Sequence, residues 1–456
     1  MLTLEEVLSA TGGKLINNTN KDIVFSSVTT NSKEAGQGML FIPLIGERFD
    51  GHNFINDAAE NGAAAALTKY NLKPDKSDFI LIKVDDTLRA LQDLAKYIRN
   101  KYNRVKVIAI TGSAGKTTTK NFVTSVLREK YKVLCNEGNY NNQIGMPLTI
   151  MNMDGSYDIA VLEMGMNSFG EIRRLSEIAR QDMAIITNIG TAHLGKLGSR
   201  VNILKAKLEI TEHLNEGNVV YLNGDDDLLK NVKGAYQIKY FGCEENNDIK
   251  VFKLKDNKNG GMEFKIQYKG NVGKFNIRLP GRHNVLNALP AIAIGYDFGL
   301  NSEEISRGLL KTKNEKMRLK LFESSNMKII DDTYNANPDS MIVAIDYLID
   351  CITNRKVAIL GDMLELDNYS ERFHTEIGKY CYLNGIDILI TYGTMAEYIA
   401  KGAVDSGMNE KNVYSFNDMG KLKENLPLIL KSDDSILIKG SRAMKMDEIA
   451  EYLGEK

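Results

Sequence analysis

One stretch, Val105 to Lys130, constrains this chain more than any other: VKVIAITGSAGKTTTKNFVTSVLREK. It opens on an apolar, β-branched run, Val105 to Ile110, the pattern of a strand buried on both faces of a parallel sheet. A turn of small residues follows, Thr111-Gly112-Ser113-Ala114-Gly115, and then Lys116 and three threonines lead into a helical pattern. Strand, glycine loop and helix in that order make a phosphate cradle. Glycines let the backbone approach an anion, and the helix N-terminus aims amide donors and a positive dipole end at it. Gly112, Ser113, Ala114, Gly115 and Thr118 would line the cradle, Lys116 would bring a point charge to the β/γ-phosphates of ATP, and Thr117 a hydroxyl to Mg²⁺. The strict form of this motif has a further glycine where Ile110 stands, so this is a shorter variant loop.

A chain of 456 residues is too long for a single core and implies several domains. Its 58 basic and 59 acidic residues balance, which argues against a nucleic-acid stripe or a polybasic membrane patch. No apolar run reaches membrane-span length, and the acidic start MLTLEEVLSATGG is unlike a signal peptide, so a cytoplasmic protein is expected. Cys135, Cys243, Cys351 and Cys381 lack pair spacing and read as reduced thiols, without a zinc site.

The chain divides into three α/β units at about 1–100, 101–312 and 313–456. The first begins with a helix over Leu2–Ala10, with Thr3 as a plausible N-cap, and carries two polar loops, around Asn31-Ser32-Lys33 and Gly46–His52. The second alternates apolar runs at Ile159–Met164, Met183–Thr187 and Val219–Leu222 with helical stretches, the rhythm of a doubly wound parallel sheet. Ligands in such sheets lie beyond the C-terminal strand ends. Glu163 falls at one such end and His193 just past another, so both are candidates to face the cradle. Lys205 and Lys207 sit two apart on a helix over Val201–Leu214 and point different ways; spacing alone reads both as solvated. A hairpin-rich stretch, Ile249–Leu279, has Asn259-Gly260-Gly261 as a turn signal. Asn284 opens the next helix, where it would serve as an N-cap. In the third unit, a second and smaller α/β sheet, polar clusters again follow the strands: Asp331–Pro338, Gly361–Glu365 and Lys439–Arg442. They would form one wall of a cleft against the second unit.

Bottom-up, these residues support a Mg²⁺-dependent ATP enzyme that transfers a phosphoryl group. They do not name the acceptor. The strings TGSAGKTTTK, Gly46–His52, Asn139–Gly145, Glu163-Met164-Gly165, Asp332–Pro338 and Lys439–Arg442, in this order and spacing, resemble the Mur ligase family of peptidoglycan synthesis over nearly the whole chain. The resemblance implies three domains: a central P-loop domain with a doubly wound parallel sheet, flanked by a small N-terminal α/β domain and a C-terminal Rossmann-like one.

It also implies an ATP-dependent amide ligase working through an acyl phosphate. The substrates would be UDP-N-acetylmuramoyl-tripeptide and D-alanyl-D-alanine. The alternative is a sister enzyme, of Mur or folylpolyglutamate type, that adds a single amino acid. By motif position the resemblance makes Lys116, Glu163, His193 and Lys207 catalytic. Thr117 and Glu163 would hold one Mg²⁺, and His193 with a carbamylated Lys207 a second. Asn284, Arg318, Asp332 and Asn335 would contact the nucleotide. Asn31, Ser32, Arg48, Asp50 and His52 would bind the uridine diphosphate, Asn142 and Gln143 would lie near the sugar-peptide end, and Ser441 and Arg442 would take the dipeptide carboxylate. A monomer is expected, with hinges near 101 and 313 so that closure excludes water.

Overall fold

The computed structural model describes residues 1–16, 22–73, 75–76, 78–256, 261–313, 316–350 and 354–454. Cys351 and the Asn259-Gly260 part of the turn signal lie outside them. The described residues build three α/β layers in chain order, each around its own largely parallel sheet. Among them, no helix is long and apolar enough to cross a membrane. Cys135, Cys243 and Cys381 are free thiols.

The first layer has a sheet ordered Lys14–Leu15, Ile80–Lys83, Ala65–Thr68, Leu40–Phe41, Val28–Thr29. Its opening helix, Leu4–Thr11, is closed at the N-terminus by a reciprocal capping box between Thr3 and Glu6, and ends on Gly12 in the left-handed conformation (φ 64°). Its last helix, Thr87–Lys101, is capped by Asp86 and runs onto the second layer. There Leu91, Leu94, Ala95 and Ile98 join a single apolar cluster with Met146, Ile150, Leu175 and Ile178.

The second layer is a nine-stranded sheet. Its heart is the strand Lys106–Thr111, with Ile159–Glu163 on one side and Met183–Ile186 on the other, all parallel. The chain first moves outward past Ile159–Glu163 to Val133–Cys135, then crosses to Met183–Ile186 and on to Val219–Asn223. The order therefore reverses at Lys106–Thr111, which opens a crevice at the C-terminal end of that strand. The three-stranded meander Ile249–Asp256, Met262–Tyr268, Asn271–Ile277 extends the far edge, where strand pairing turns antiparallel. The helix after the loop, Lys116–Leu127, buries Phe122, Val123, Val126 and Leu127 in a cluster shared with helix Arg282–Asp297.

The third layer orders Lys320–Ser324, Met327–Asp332, Ser435–Lys439, Lys356–Gly361, Ile388–Tyr392 and Val413–Phe416, parallel except at the first pair. Asp332 and Leu360 both pair with Lys439 across the register, so the three polar clusters end level on one edge. Two element readings need correction. The helix expected over Val201–Leu214 spans Arg200–Leu208 and gives way to a 3₁₀ turn at Glu209–Thr211. Asn284 is not an N-cap: helix Arg282–Asp297 is capped by Gly281 (φ 87°), and Asn284 lies one turn inside, its side chain donating to the Pro280 carbonyl at 2.6 Å.

Candidate active site

The loop after Lys106–Thr111 sits at the sheet's reversal point, and its two glycines are required by contact. A Cβ on Gly112 would stand 1.8 Å from Thr187 Oγ1, and one on Gly115 2.4 Å from Asn287 Oδ1. Gly115 also caps the helix at φ 77°, which side chains disfavour. Asn188 fixes the loop: its Oδ1 accepts from the Ala114 amide at 2.9 Å, its Nδ2 donates to the Ala114 carbonyl at 3.0 Å, and its own carbonyl accepts from Ser113 at 3.0 Å. Lys116 Nζ curls back to the Gly112 carbonyl at 2.9 Å. Burial pushes its pKa down; Glu163 and Glu365 oppose that, while Arg318 adds to it.

Glu163 ends the adjacent strand and is 1% exposed. Its Oε1 accepts from Asn141 Nδ2 at 2.7 Å. Asn136 clamps its backbone, accepting from the Glu163 amide at 2.8 Å and donating to its carbonyl at 3.0 Å. Oε2 has no hydrogen-bond partner, and its nearest cation, Lys120 Nζ, is 3.9 Å away. A buried carboxylate oxygen without a donor is a costly arrangement that a bound cation would satisfy.

His193 follows the next strand in the left-handed conformation, φ 64°, opening the short helix Leu194–Leu197. Its Nδ1 lies 2.9 Å from Glu365 Oε2 of the third layer, a close contact that falls outside hydrogen-bond alignment. Lys205 is exposed and Lys207 is 1% exposed. Burial, then the like charge of Lys116, drives the Lys207 pKa far below the lysine range. Among the described residues, no hydrogen bond or ion pair engages its Nζ.

The third layer closes the site. Arg318 stacks 4.0 Å above the Tyr334 ring and reaches Thr117 Oγ1 at 3.4 Å. Asp332 accepts from the Leu319 amide at 3.1 Å and pairs with buried Lys439, which also donates to the Asn335 carbonyl at 2.8 Å. Asp339 accepts from both the amide and the hydroxyl of Thr191, at 2.6 and 2.7 Å. Together these layers enclose a cavity of about 750 Å³ lined by the loop residues Ser113–Thr118, Asn142, Glu163, His193, Asn284, Arg318, Asp332 and Asn335.

Comparison with known proteins decides what this cavity belongs to. The Mur ligase middle domain profile matches residues 110–295, the Mur ligase glutamate ligase domain 317–442, and the Mur ligase family catalytic domain 24–99. The chain belongs to the Mur ligase family. It is 41% identical to the UDP-N-acetylmuramoyl-tripeptide–D-alanyl-D-alanine ligase of Bacillus subtilis, over 99% of this chain and 98% of the relative. The crystal structure of MurF from Acinetobacter baumannii superposes with a TM-score of 0.92 at 31% identity, covering 100% and 99% of the two chains. That of Thermotoga maritima MurF in complex with ADP gives 0.83 at 29%, covering 95% and 98%.

Not every expected residue of this Mur ligase meets the cavity. Lys207 is buried, and neither it nor Gln143, Ser441 or Arg442 is among the residues that line it. Gln143 accepts from Gln92 of the first layer. Ser441 is buried and accepts from the Leu364 amide at 2.8 Å, whereas Arg442 is half exposed and pairs with Asp447 at 3.0 Å. Asn142 lines the cavity, and its Oδ1 accepts from the Gly145 amide at 2.8 Å where helix Gly145–Met151 begins. In the first layer, Asn31 caps the turn Ser32–Glu34, and Arg48 is exposed. Asp50 accepts from both the amide and the ring Nδ1 of His52, and His52 Nε2 accepts from Lys69. Those donors hold the Asp50 carboxyl below its usual range in spite of desolvation, the largest single influence on it. Sequence reasoning passed over Asn141, Asn188, Asp339 and Lys439. Asn141 and Lys439 stood in strings already noted, and Asn188 and Asp339 each follow an element boundary.

Proposed function

We infer that this protein is an ATP-dependent ligase that joins D-alanyl-D-alanine to UDP-N-acetylmuramoyl-tripeptide, in cytoplasmic assembly of the peptidoglycan precursor. The carrying observation is the convergence of Lys116, Glu163 and His193 on one cavity closed by the third layer, in a chain that matches such ligases over its full length. The reaction proceeds in two steps. The tripeptide's terminal carboxylate attacks the γ-phosphorus, giving an acyl phosphate and ADP; the dipeptide amine then attacks the acyl carbon and phosphate leaves.

The first step brings two anions together, so the site must cancel charge and hold an in-line geometry. Lys116 and the loop amides do this at the phosphates, with Lys116 leaving the Gly112 carbonyl for the nucleotide. Arg318 adds a second cation from the third layer. Asn284, Asp332 and Asn335 position the nucleotide. Mg²⁺ fits the donor set: Thr117 and Glu163 would hold one ion, with the unpaired Glu163 Oε2 free for it. His193 and Lys207 would hold the second. Bound Mg²⁺ supplies charge neutralisation and a template for the phosphate oxygens. Burial and the like charge of Lys116 favour the neutral amine of Lys207, the form that adds CO₂ with loss of a proton, and the carbamate so formed would be an anion suited to a cation. Intact-mass measurement of the native protein should show one added CO₂, and Lys207→Ala should lose activity that a short carboxylate restores.

The first layer would hold the uridine diphosphate through Asn31, Ser32, Arg48, Asp50 and His52, and the third the dipeptide near Ser441 and Arg442, in a monomer. A panel offering D-alanyl-D-alanine, L-lysine, diaminopimelate and glutamate tests the reading. ATP consumption should require both the tripeptide and D-alanyl-D-alanine. Turnover with a single amino acid instead would assign a sister ligase, and turnover without any amine would remove the ligase reading.

A further inference from the structure

Glu365 belongs to the third layer, yet its carboxylate is the charged group that meets His193, 2.9 Å from Nδ1. The contact is built into the backbone on both sides. The Glu365 carbonyl accepts from the Gly195 amide at 3.2 Å, and Tyr369 donates its hydroxyl to the Gly198 carbonyl at 2.9 Å. Gly195 has no room for a side chain, since its Cβ would stand 2.4 Å from Asp367 Oδ2 and 2.8 Å from the Glu365 carbonyl oxygen. Glu365 (φ 73°), Asp367 (φ 44°) and His193 (φ 64°) all hold left-handed backbone, unusual for residues with side chains. A turn from the second layer is thus received, residue against residue, by a turn from the third.

We propose that Glu365 is a positioning residue for His193, so that docking of the third layer orients the imidazole for its cation. This rests on reading His193 as a ligand of the second Mg²⁺. Nδ1 faces Glu365, Nε2 makes no hydrogen bond among the described residues, and His193 lines the cavity. A carboxylate on the far nitrogen of a metal-binding imidazole sets the ring's tautomer and direction and raises its basicity. An ordinary surface ion pair would need neither the steric fit at Gly195 nor three strained residues.

The test uses full-length protein with a non-hydrolysable ATP analogue and Mn²⁺ in place of Mg²⁺, titrated by electron paramagnetic resonance. Wild type should bind two Mn²⁺, and His193→Ala should lose one of them. Glu365→Ala should weaken that same site by about 10–100-fold, lower kcat by a similar factor and leave KM for ATP within about threefold. Glu365→Gln, which keeps the shape and an acceptor, should recover part of the loss, and separates positioning from misfolding. If His193→Ala loses the ion while Glu365→Ala binds it within about twofold of wild type, the positioning role is overturned and the reading of His193 stands. If neither variant loses it, both are overturned.

Discussion

The two junctions between layers are built from different chemistry. Where the first layer meets the second, helix Thr87–Lys101 lays Leu91, Leu94, Ala95 and Ile98 into an apolar cluster that continues without a break through Met146, Leu175 and Ile178. Buried Arg99 completes it, donating to the carbonyls of Ala179 and Arg180 at the C-terminal end of helix Glu171–Ala179, where a cation also meets the negative end of the helix dipole. Where the second layer meets the third, polar contacts are prominent: Thr191 with Asp339, His193 and Gly195 with Glu365, Thr117 with Arg318, and Tyr369 with the Gly198 carbonyl. The apolar contribution there is smaller, from Tyr369 and Phe373 packed against the second layer's cluster. An apolar seam loses its driving force when water enters it, whereas polar partners can exchange one another for water at little net cost. This contrast predicts that the first junction behaves as part of a core and the second as a latch. Of the hinges expected near 101 and 313, the physical case is for the one near 313.

The sharpest way to break this contrast is to remove Arg99. Arg99→Ala should destabilise the protein by about 3–5 kcal/mol, because it strands buried carbonyls and opens a cavity. Denaturant unfolding followed in each layer should show the first two destabilised together; loss confined to the first layer would mean that they are separate. At the other junction, Asp339→Ala should change the melting temperature little and lower kcat by about tenfold, the weight of one hydrogen bond to a charged group of about 1.5 kcal/mol acting on closure. A variant that lost stability and kept its rate would reverse the assignment of latch and core. Small-angle scattering should show a smaller radius of gyration when nucleotide and UDP-tripeptide are both present, with amide exchange in helix Thr87–Lys101 unchanged.

The smallest effect concerns pH. Glu177 lies at the first junction, where hydrogen bonds from Lys96 and Arg174 carry its pKa from 4.5 down to about 2, against some desolvation. A depressed carboxylate stabilises the fold above its unfolded pKa, and that contribution fades as pH falls from about 4.5 to about 2. Glu177→Gln should flatten the stability–pH profile in that window and leave the profile near neutrality parallel to wild type. An unchanged slope would show that the ion pairs of this seam contribute nothing.

Some of the site was legible in one dimension because local geometry settles it. A β-branched run, a glycine turn, then Lys116 and Thr117 can form only one kind of strand–loop–helix, and residues at the ends of parallel strands must gather at one edge. That is why Lys116, Thr117, Glu163 and His193 line one cavity, and why Asp332 and Lys439 end level. Residues whose role is to hold others were harder to see. Asn136, Asn141 and Asn188 bond across 22 to 74 positions of sequence, and no local pattern marks such a pairing. Asn284 misled because an Asn at a helix start usually caps, while here Gly281 takes the cap position one turn earlier.

What the sequence determined by itself is the phosphate cradle, the alternation of strands and helices, and the strand ends on which charged residues stand, since each follows from neighbours a few positions apart. What the tertiary structure decided is the state of each charge. Lys205 and Lys207 share a helix and a formula, but one is exposed and the other is buried within reach of the charge of Lys116. Glu163 keeps one oxygen without a donor, and Glu365 finds His193 across a junction between layers. Burial and the identity of distant partners set the cost of ionisation, and both exist only once the chain has packed.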